Sequence, residues 1–433
     1  SNTTGNSNVA IGMNALDANT TASNNVAIGQ DALGANTTGA NNTAVGESAL
    51  AAHTANNDNV AVGYFSMRYN TTGYQNTAVG KGSLQANTTG TLNTAVGDQA
   101  LEANTTANNN TAVGHKSLNA NTTGAQNTAF GALALPANTT GSNNTAVGYA
   151  ALDTATTASD NTAIGYAANY SLTTGIQNVS IGYRAMYTNT VGDRNVAVGY
   201  GALETNNPSS NEDSYNVAIG FYALQATTTG TNNTAVGGSA MLANTTGSNN
   251  TAVGQGALDA NTTGNTNVAV GQAAGTSNTT GTHNVFVGAA AGLNNTTGEY
   301  NVVVGRDAFY ENTGGSYNIA IGYQALEKNT ANNNTGIGYL ALEENTTGTQ
   351  QVAVGYGALT NSTTGNYNTA VGSNALATNT TGADNTAVGQ GALTANTTAS
   401  YNTAVGKSAL EANTTGTQNT AVGRLALYAN TTG

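Results

Sequence analysis

The chain contains no cysteine and no tryptophan, and only 2 of its 433 residues are proline. Without cysteine it can form neither disulfide bonds nor thiolate metal sites, although this absence does not fix the compartment. No apolar run approaches the roughly 18 to 20 residues that cross a bilayer, and no charged and then apolar leader precedes the first repeat. We therefore expect no membrane insertion.

Charge is also scarce, and most of it is negative. Charged residues make up 7% of the chain, and 21 acidic residues outnumber 9 basic ones, which gives a net charge of −12. Nucleic acids and anionic membranes bind to basic surfaces, so neither is expected as a partner.

One short motif recurs along the whole chain instead. A variant of Asn-Thr/Val-Ala-Val/Ile-Gly occurs 25 times, and its closing glycines are almost always 17 residues apart, as at Gly12, Gly29 and Gly46. A fixed period of this kind indicates a solenoid, in which each coil buries its apolar face against its neighbours. The polar composition would also fit a disordered low-complexity segment, but the regular apolar positions favour a fold.

The repeat predicts an all-β fold, a parallel β-solenoid of about 25 coils with a 17-residue period. It fills residues 1–433, which we therefore interpret as a single uncapped domain. One longer interval between glycines predicts a protruding loop at residues 205–215.

We number each coil from the motif Asn, so that the consensus of positions 1 to 17 is N-T/V-A-V/I-G-x-x-A-L-x-x-N-T-T-G-x-x. Positions 2 and 4 lie on the same side of a short strand and are apolar or Thr, so we predict that they face inward. Positions 8 and 9 predict a second short strand or a bend, and the glycine at position 5 predicts a left-handed turn. Outside the insertion, charged residues fall at positions 6, 7, 10, 11, 16 and 17, which we interpret as solvent-facing corners.

Position 3 is alanine in most coils and is never charged. On the outward side of the strand its restriction to small side chains predicts close approach of another backbone, either another wall of the same coil or a second copy of the chain. Larger residues at this position in two adjacent coils, Phe286 and Val303, predict local repacking. As a candidate subunit interface, position 3 is represented by Ala27, Ala44, Ala61 and Ala78.

Position 1 is asparagine in every coil except the one that carries Gln351. Parallel coils stack about 4.7 to 4.9 Å apart. These amides are therefore expected to form a ladder in which each one hydrogen-bonds its equivalents above and below.

Aromatic side chains recur at position 6 in two sets of consecutive coils. Stacked at the coil spacing, they predict exposed strips suited to sugar rings or to the apolar surface of a partner. The alternative is a ladder that only stabilises the stack, or a contact between subunits. The candidate residues are Tyr149, Tyr166, Tyr183, Tyr200 and Phe221 in the first set and Tyr323, Tyr339 and Tyr356 in the second.

No arrangement of residues points to catalysis, a cofactor or a metal ion, so we expect a protein that is not an enzyme. His53, His115 and His283 occupy different positions in distant coils and are interpreted as surface residues. The adjacent carboxylates Glu212–Asp213 and Glu343–Glu344 are interpreted as solvated.

The motif N-V-A-I-G, as in Asn8–Gly12 and Asn25–Gly29, closely resembles the N-S-V-A-I-G signature of head-domain repeats in trimeric autotransporter adhesins. The array is also similar to segments of bacteriophage tail fibres and of large secreted bacterial surface proteins. The resemblance implies a left-handed parallel β-roll, three chains packed around a common axis, and binding to host surfaces or matrix proteins.

These features predict a structural, non-enzymatic protein that is extracellular or at the cell surface. It would form the shaft of a fibre or filament, a homo-oligomer that self-associates laterally or end to end, since the repeats run in phase to both ends. The main alternative is an adhesin or tail-fibre module that binds a glycan or a host surface. Paired threonines at positions 13 and 14, such as Thr20 and Thr21, leave ice binding as a minor alternative.

Overall fold

The computed structural model describes residues 2–210 and 213–433, and within them the chain forms 25 strands of three residues each and no helix. The chain divides into two compact units, Ser1–Asn216 and Val217–Gly433. Each unit is a stack of coils with one strand in each coil, as the all-β parallel β-solenoid predicted from the sequence requires.

The strands have the following bounds. The first unit contains β1 Val9–Ile11, β2 Val26–Ile28, β3 Thr43–Val45, β4 Val60–Val62, β5 Thr77–Val79, β6 Thr94–Val96, β7 Thr111–Val113, β8 Thr128–Phe130, β9 Thr145–Val147, β10 Thr162–Ile164, β11 Val179–Ile181 and β12 Val196–Val198. The second unit contains β13 Val217–Ile219, β14 Thr234–Val236, β15 Thr251–Val253, β16 Val268–Val270, β17 Val285–Val287, β18 Val302–Val304, β19 Ile319–Ile321, β20 Thr335–Ile337, β21 Val352–Val354, β22 Thr369–Val371, β23 Thr386–Val388, β24 Thr403–Val405 and β25 Thr420–Val422.

Consecutive strands within each unit pair in parallel and in the same register. In the first unit Ala27 lies opposite Ala44, and in the second Ala235 lies opposite Ala252. Equivalent residues of neighbouring coils therefore face each other, and the period of the sequence is also the period of the structure.

Position 3 faces the interior of each unit, contrary to the prediction from the sequence. Ala27, Ala44, Ala61 and Ala78 have no exposed surface and belong to one apolar cluster with the leucines of position 9. Positions 2 and 4 face outward instead, since β18 exposes both of its outer valines while its central valine is fully buried. The prediction of a subunit interface through these alanines is therefore wrong, and the backbone that covers them is another wall of the same coil.

The volume of the coil interior explains this orientation. Leucine at position 9 packs directly on position 3: a Cβ added to Gly336, a position 3 residue, would lie 3.1 Å from Leu326 Cγ. Only a small side chain fits in the remaining space, so the large β-branched residues of the strand must point out. Period-two alternation shows that positions 2 and 4 share a face, but it does not show which face is inside.

Positions 8 and 9 form a bend and not a second strand. Leu33 at position 9 has φ +51° and Asp31 at position 7 has φ +58°. A left-handed residue other than glycine costs roughly 1–2 kcal/mol, whereas full burial of a leucine side chain contributes about 1.5–3 kcal/mol. Burial of the leucine therefore offsets the strain of its own turn.

The glycine column at position 5 is required by the backbone in two ways. Gly29 has φ +129°, a conformation that side chains rarely adopt, and a Cβ on it would collide with the carbonyl of Gly46 in the next coil. The same close approach recurs from coil to coil, so the predicted glycine turn also sets how tightly the coils stack.

Hydrogen bonds between neighbouring coils extend beyond the strands. The Leu33 N–H donates to the Ala49 carbonyl at 2.9 Å, and the Thr37 N–H donates to the Thr54 carbonyl at 2.9 Å. Backbone polar groups on the walls without strands are thus paired as they are in a sheet. This pairing explains why strands of only three residues are sufficient.

Two asparagine ladders run inside each unit. At position 1, Asn59 Nδ2 donates to Asn42 Oδ1 at 3.2 Å, so the predicted ladder is confirmed. At position 12, Asn104 Nδ2 donates to Asn87 Oδ1 at 2.9 Å, in a second ladder that the turn-like Asn-Thr-Thr-Gly pattern does not reveal. These four amides are buried, and an unpaired buried amide would cost about 1–3 kcal/mol. The ladders therefore give a polar interior at little cost.

The coils around Phe286 are repacked, as the sequence predicts. Phe286 is fully buried at position 3, and the two nearest position 9 residues are Gly275 and Gly292 in place of leucine. A Cβ on either glycine would overlap the Phe286 ring. One large side chain thus fills the space that two leucines occupy elsewhere.

Candidate functional site

The first set of position 6 tyrosines forms a stacked and half-exposed ladder in the first unit. The ring centroids of Tyr149, Tyr166, Tyr183 and Tyr200 follow one another at 5.4, 5.2 and 4.8 Å, with planes within 15° of parallel. Centroid distances in this range are typical of offset stacking, which leaves part of each ring face open. Between 41 and 51% of each of these residues is exposed.

The second set forms a similar ladder in the second unit. Tyr323, Tyr339 and Tyr356 follow one another at 5.3 Å. Phe221 also belongs to the second unit, where it is exposed and its ring lies 4.2 Å from that of Tyr222. The predicted stacking of both tyrosine sets is confirmed, and their role in ligand binding stays a prediction.

A groove of about 530 Å³ runs beside the first ladder. Its second wall is a column at position 10, where Tyr170 and Tyr187 stack with centroids 5.2 Å apart. Its floor is position 7, where Ala150 and Ala167 leave the space between the walls open. We call this site the tyrosine groove, and it is lined by Leu133, Tyr149, Ala150, Asp153, Tyr166, Ala167, Tyr170, Tyr183, Arg184 and Tyr187.

The local turn explains the shape of the tyrosine groove. Positions 6 and 10 flank the bend, so their side chains project from two neighbouring corners of the coil. Position 7 has a left-handed backbone, with φ +53° at Ala150 and φ +50° at Ala167. The larger position 7 residues Leu133 and Arg184 bound this floor at the preceding and following coils. Tyrosines at positions 6 and 10 around an alanine at position 7 are the sequence signal of this groove, but the sequence alone does not show that the two positions face each other.

One acidic and one basic side chain line the tyrosine groove. Burial raises the pKa of the Asp153 carboxyl, while its hydrogen bond with the Tyr170 phenol acts in the opposite direction. The charge of Asp153 in turn raises the pKa of Tyr170. The Arg184 guanidinium lies 4.1 Å from the centre of the Tyr187 ring and pairs with Glu204, at 3.1 Å from Nη2 to Oε1. The guanidinium that lines the groove is therefore already paired with a carboxylate, and the Asp153 carboxyl is hydrogen-bonded to a tyrosine.

A second surface, the outward sheet face, consists of positions 2 and 4 of the strands in each unit. None of the 25 described strands carries a charge at either position. In the second unit every outward residue is Val, Thr or Ile, and Val302, Val304 and Ile319 are each 36–38% exposed. The face is therefore a continuous uncharged surface within each unit.

The three histidines differ in their surroundings. His115 and His283 are exposed, as predicted. His53 is fully buried at position 12, so its interpretation as a surface residue is wrong. It replaces one asparagine of the second ladder and accepts a hydrogen bond from Asn70 Nδ2 at 3.2 Å. Position 12 is buried because it carries the second asparagine ladder, so the burial of His53 could be predicted only if that ladder were known.

His283 begins a further aromatic ladder at position 17. Its ring stacks on Tyr300 at 4.6 Å, and Tyr300 stacks on Tyr317 at 5.3 Å. This column continues the same stacking rule at another corner of the coil.

The adjacent carboxylates have separate surroundings. Glu344 forms an ion pair with Lys328 at 2.7 Å, and burial raises the pKa of Glu343. Glu212 lies outside the described residues. Asp213 forms an ion pair with Arg194 and accepts a hydrogen bond from the Tyr215 hydroxyl at 2.9 Å. These contacts attach the described end of the 205–215 insertion to the preceding coil.

The threonine column at position 13 uses its hydroxyl groups internally. Thr262 Oγ1 donates to the Thr279 carbonyl at 3.0 Å, and Thr279 Oγ1 donates to the Thr296 carbonyl at 3.0 Å. The hydroxyl protons of this column are therefore committed to the backbone. The position 13 member of each threonine pair therefore has no hydroxyl proton to offer to an ice lattice, which weighs against ice binding through both members of the pair.

Two further properties concern the described part of the chain only. Residues 2–210 and 213–433 contain no group of three or more His, Cys, Asp or Glu side chains placed to hold a metal ion. Within the same ranges no helix is long and apolar enough to cross a membrane.

No protein-family model matches the chain, and no curated protein matches its sequence. The resemblance of the N-V-A-I-G motif to autotransporter head repeats therefore stays a prediction.

Proposed function

We propose that this chain is a structural, non-enzymatic segment of an extracellular fibre and that copies of it associate laterally through the outward sheet face. The observation that carries the proposal is the absence of charge at positions 2 and 4 in all the described strands. A solvated face without a binding role would be expected to accept charged residues, as the corners of the coil do. Extended apolar surfaces on soluble proteins commonly mark interaction sites.

Charge favours a second copy on this face. With a net charge of −12, two copies repel each other wherever their corners meet. The outward sheet face is the surface on which they can approach without placing like charges in contact. An end-to-end arrangement does not use this face, so the proposal is for lateral association.

The dimensions of the face suit an interface between copies. The second unit has 13 strands, β13 to β25. At a spacing of about 4.8 Å, and with three residues spanning about 10 Å, these strands present about 600 Å². Stable interfaces bury about 600 to 1,000 Å² on each partner. Two copies also share the same coil period, so the rows of one can fit between the rows of the other along the whole contact.

Charged substitutions on the face test the proposal. The variant with Val270→Lys, Val287→Glu and Val304→Lys carries alternating charges in three consecutive coils. Opposite charges are neighbours within one chain, but contact with a second copy would remove them from water, which costs free energy. We expect the wild type to sediment as an oligomer and this face variant as a 43.0 kDa monomer. Circular dichroism of both proteins would verify that the strands are retained.

A matched control uses position 6 of the same three coils. Gln272→Lys and Ala289→Glu, beside the native Arg306, create the same alternation of charge on a corner. This control should remain oligomeric. A wild type that stays monomeric at every concentration, or a face variant that associates as the wild type does, contradicts the proposal.

A further inference from the structure

The tyrosine groove is a second surface whose chemistry is independent of self-association. We propose that it binds a neutral oligosaccharide. The groove lies at positions 6, 7 and 10, away from the outward positions 2 and 4 of the strands. A ligand in it therefore does not compete with a second copy on the outward sheet face.

The shape of the groove suits a short linear ligand. Its volume of about 530 Å³ lies within the range of about 300–1,000 Å³ that is typical of small-molecule sites. Leu133 and Arg184 bound the alanine floor, so the open length is limited to a few coils. A defined length is typical of a binding site, whereas a stabilising ladder needs no floor.

The groove has aromatic side chains on both walls and alanines on the floor between them. The tyrosines of position 6 face those of position 10, and a tyrosine presents both an apolar ring and a hydroxyl group. The second ladder is different: opposite Tyr339, position 10 is Glu343, and position 7 is Leu340. Tyr339 therefore has neither an aromatic partner wall nor an open floor, and it serves as an internal control.

The polar groups of the groove match a neutral sugar. A sugar hydroxyl can donate to the Asp153 carboxylate and accept from a tyrosine hydroxyl or from Arg184. Arg184 is already paired with Glu204, so the guanidinium that lines the groove does not favour an acidic ligand, and the Asp153 carboxyl is already hydrogen-bonded to Tyr170. Burial, which raises the pKa of Asp153, indicates a partly desolvated carboxyl group that would gain from a hydroxyl donor.

A proline-rich segment is the competing ligand, because such segments also dock between aromatic side chains. Proline has no N–H, so a proline-rich segment offers fewer donors to the free lone pairs of the Asp153 carboxylate than a saccharide, in which every hydroxyl group can donate. The hydrogen-bonding groups of the groove therefore favour a saccharide.

Calorimetric titration of the full chain tests the proposal. The probes are neutral tetrasaccharides of glucose, galactose and N-acetylglucosamine, an acidic tetrasaccharide of galacturonic acid, and a proline-rich decapeptide. We expect at least one neutral tetrasaccharide to bind with a Kd below about 1 mM. Binding only to the acidic sugar or to the peptide, or binding to none of the probes, would overturn the proposal.

Two variants locate the site. Tyr166→Ala with Tyr170→Ala removes one ring from each wall and should weaken binding about tenfold or more. Ala167→Leu fills the floor and keeps every tyrosine, and it should weaken binding by a similar factor. Leu133 already occupies position 7 with φ +53°, so the leucine fits this backbone.

Tyr339→Ala in the second ladder is the matched control and should bind as the wild type does. Equal affinity of the Ala167→Leu variant and the wild type would contradict the assignment of the groove. The face variant Val270→Lys, Val287→Glu, Val304→Lys should keep its affinity, so failure of lateral association and failure of saccharide binding can be told apart.

Discussion

His53 occupies a position that asparagine holds in most other coils of its unit, and it preserves the hydrogen bonds of the ladder. Its Nε2 lies 2.6 Å from the Asn56 carbonyl, and its Nδ1 accepts from Asn70. A neutral ring that carries its proton on Nε2 satisfies both contacts. Burial lowers the pKa of His53, and the hydrogen bond to the Asn56 carbonyl only partly opposes this.

The lowered pKa of His53 predicts a loss of stability in acid. The unfolded chain takes up a proton near the ordinary histidine pKa of about 6.5, and the folded chain does so only at lower pH. The free energy of unfolding should therefore fall as the pH drops from about 6.5 towards the folded pKa, by at most about 1.4 kcal/mol per pH unit. His53→Asn should remove this loss, as measured by denaturant unfolding at neutral and acidic pH.

Other groups titrate in the same range, so the comparison must be with the wild type at each pH. Burial raises the pKa of Asp259 and several other carboxyl groups, which acts in the opposite direction in acid. These contributions cancel in the difference between the variant and the wild type. If His53→Asn and the wild type lose the same free energy of unfolding in acid, the His53 ring is solvated and the prediction is contradicted.

The coil that carries Tyr166 and Tyr170 has an exchange of residues in its interior. Asn169 takes the place of leucine at position 9, and Leu172 takes the place of asparagine at position 12. The buried amide of Asn169 has no hydrogen-bond partner within the described residues. An unpaired buried amide costs about 1–3 kcal/mol. The coil at the centre of the tyrosine groove is therefore less well stabilised inside than its neighbours.

Side chains of neighbouring coils fill one shared interior, so a large residue in one coil requires small residues beside it, as the packing around Phe286 shows. Phe286→Ala should lower the free energy of unfolding by about 3–5 kcal/mol, because Gly275 and Gly292 cannot fill the cavity. Adding Gly275→Leu and Gly292→Leu to this variant restores the consensus of the other coils and should recover most of the loss. Denaturant unfolding measures both effects.

The two leucines without Phe286→Ala supply the control. In the presence of Phe286 they should destabilise the second unit, since a Cβ at either position already overlaps the ring. The backbone is not the obstacle, because Leu258 has φ +51° at position 9 and Gly275 has φ +58°. Additive effects of the three substitutions would contradict direct packing between these side chains.

The in-register stacking of equivalent positions could be predicted from the sequence, whereas the choice of the inward face and the second asparagine ladder could not. The period determines the parallel register, the position 1 ladder and the stacking of the tyrosines. It does not determine the inward face, which depends on the volume that leucine at position 9 takes up. Thr at position 2 in more than half of the strands is a signal for the outward face, since a hydroxyl group there can reach water.

Only one wall of the tyrosine groove could be predicted from the sequence. The position 6 column is visible as a run of tyrosines, but the opposite wall has only Tyr170 and Tyr187, and the floor is two alanines. Their proximity follows from the left-handed turn at positions 7 and 9, which side chains other than glycine seldom adopt. Propensity arguments therefore do not place positions 6 and 10 on facing sides of one groove.

For the whole molecule, salt separates apolar association from ionic association. The acidic corners of two copies repel each other, and salt screens this repulsion without weakening contacts between uncharged faces. At a fixed protein concentration the oligomeric fraction should therefore rise between about 10 mM and about 1 M NaCl, as measured by sedimentation velocity. The variant Val270→Lys, Val287→Glu, Val304→Lys should remain monomeric at both salt concentrations. Oligomers that dissociate as salt is added would show that ion pairs hold the copies together, and the outward sheet face would then not be their interface.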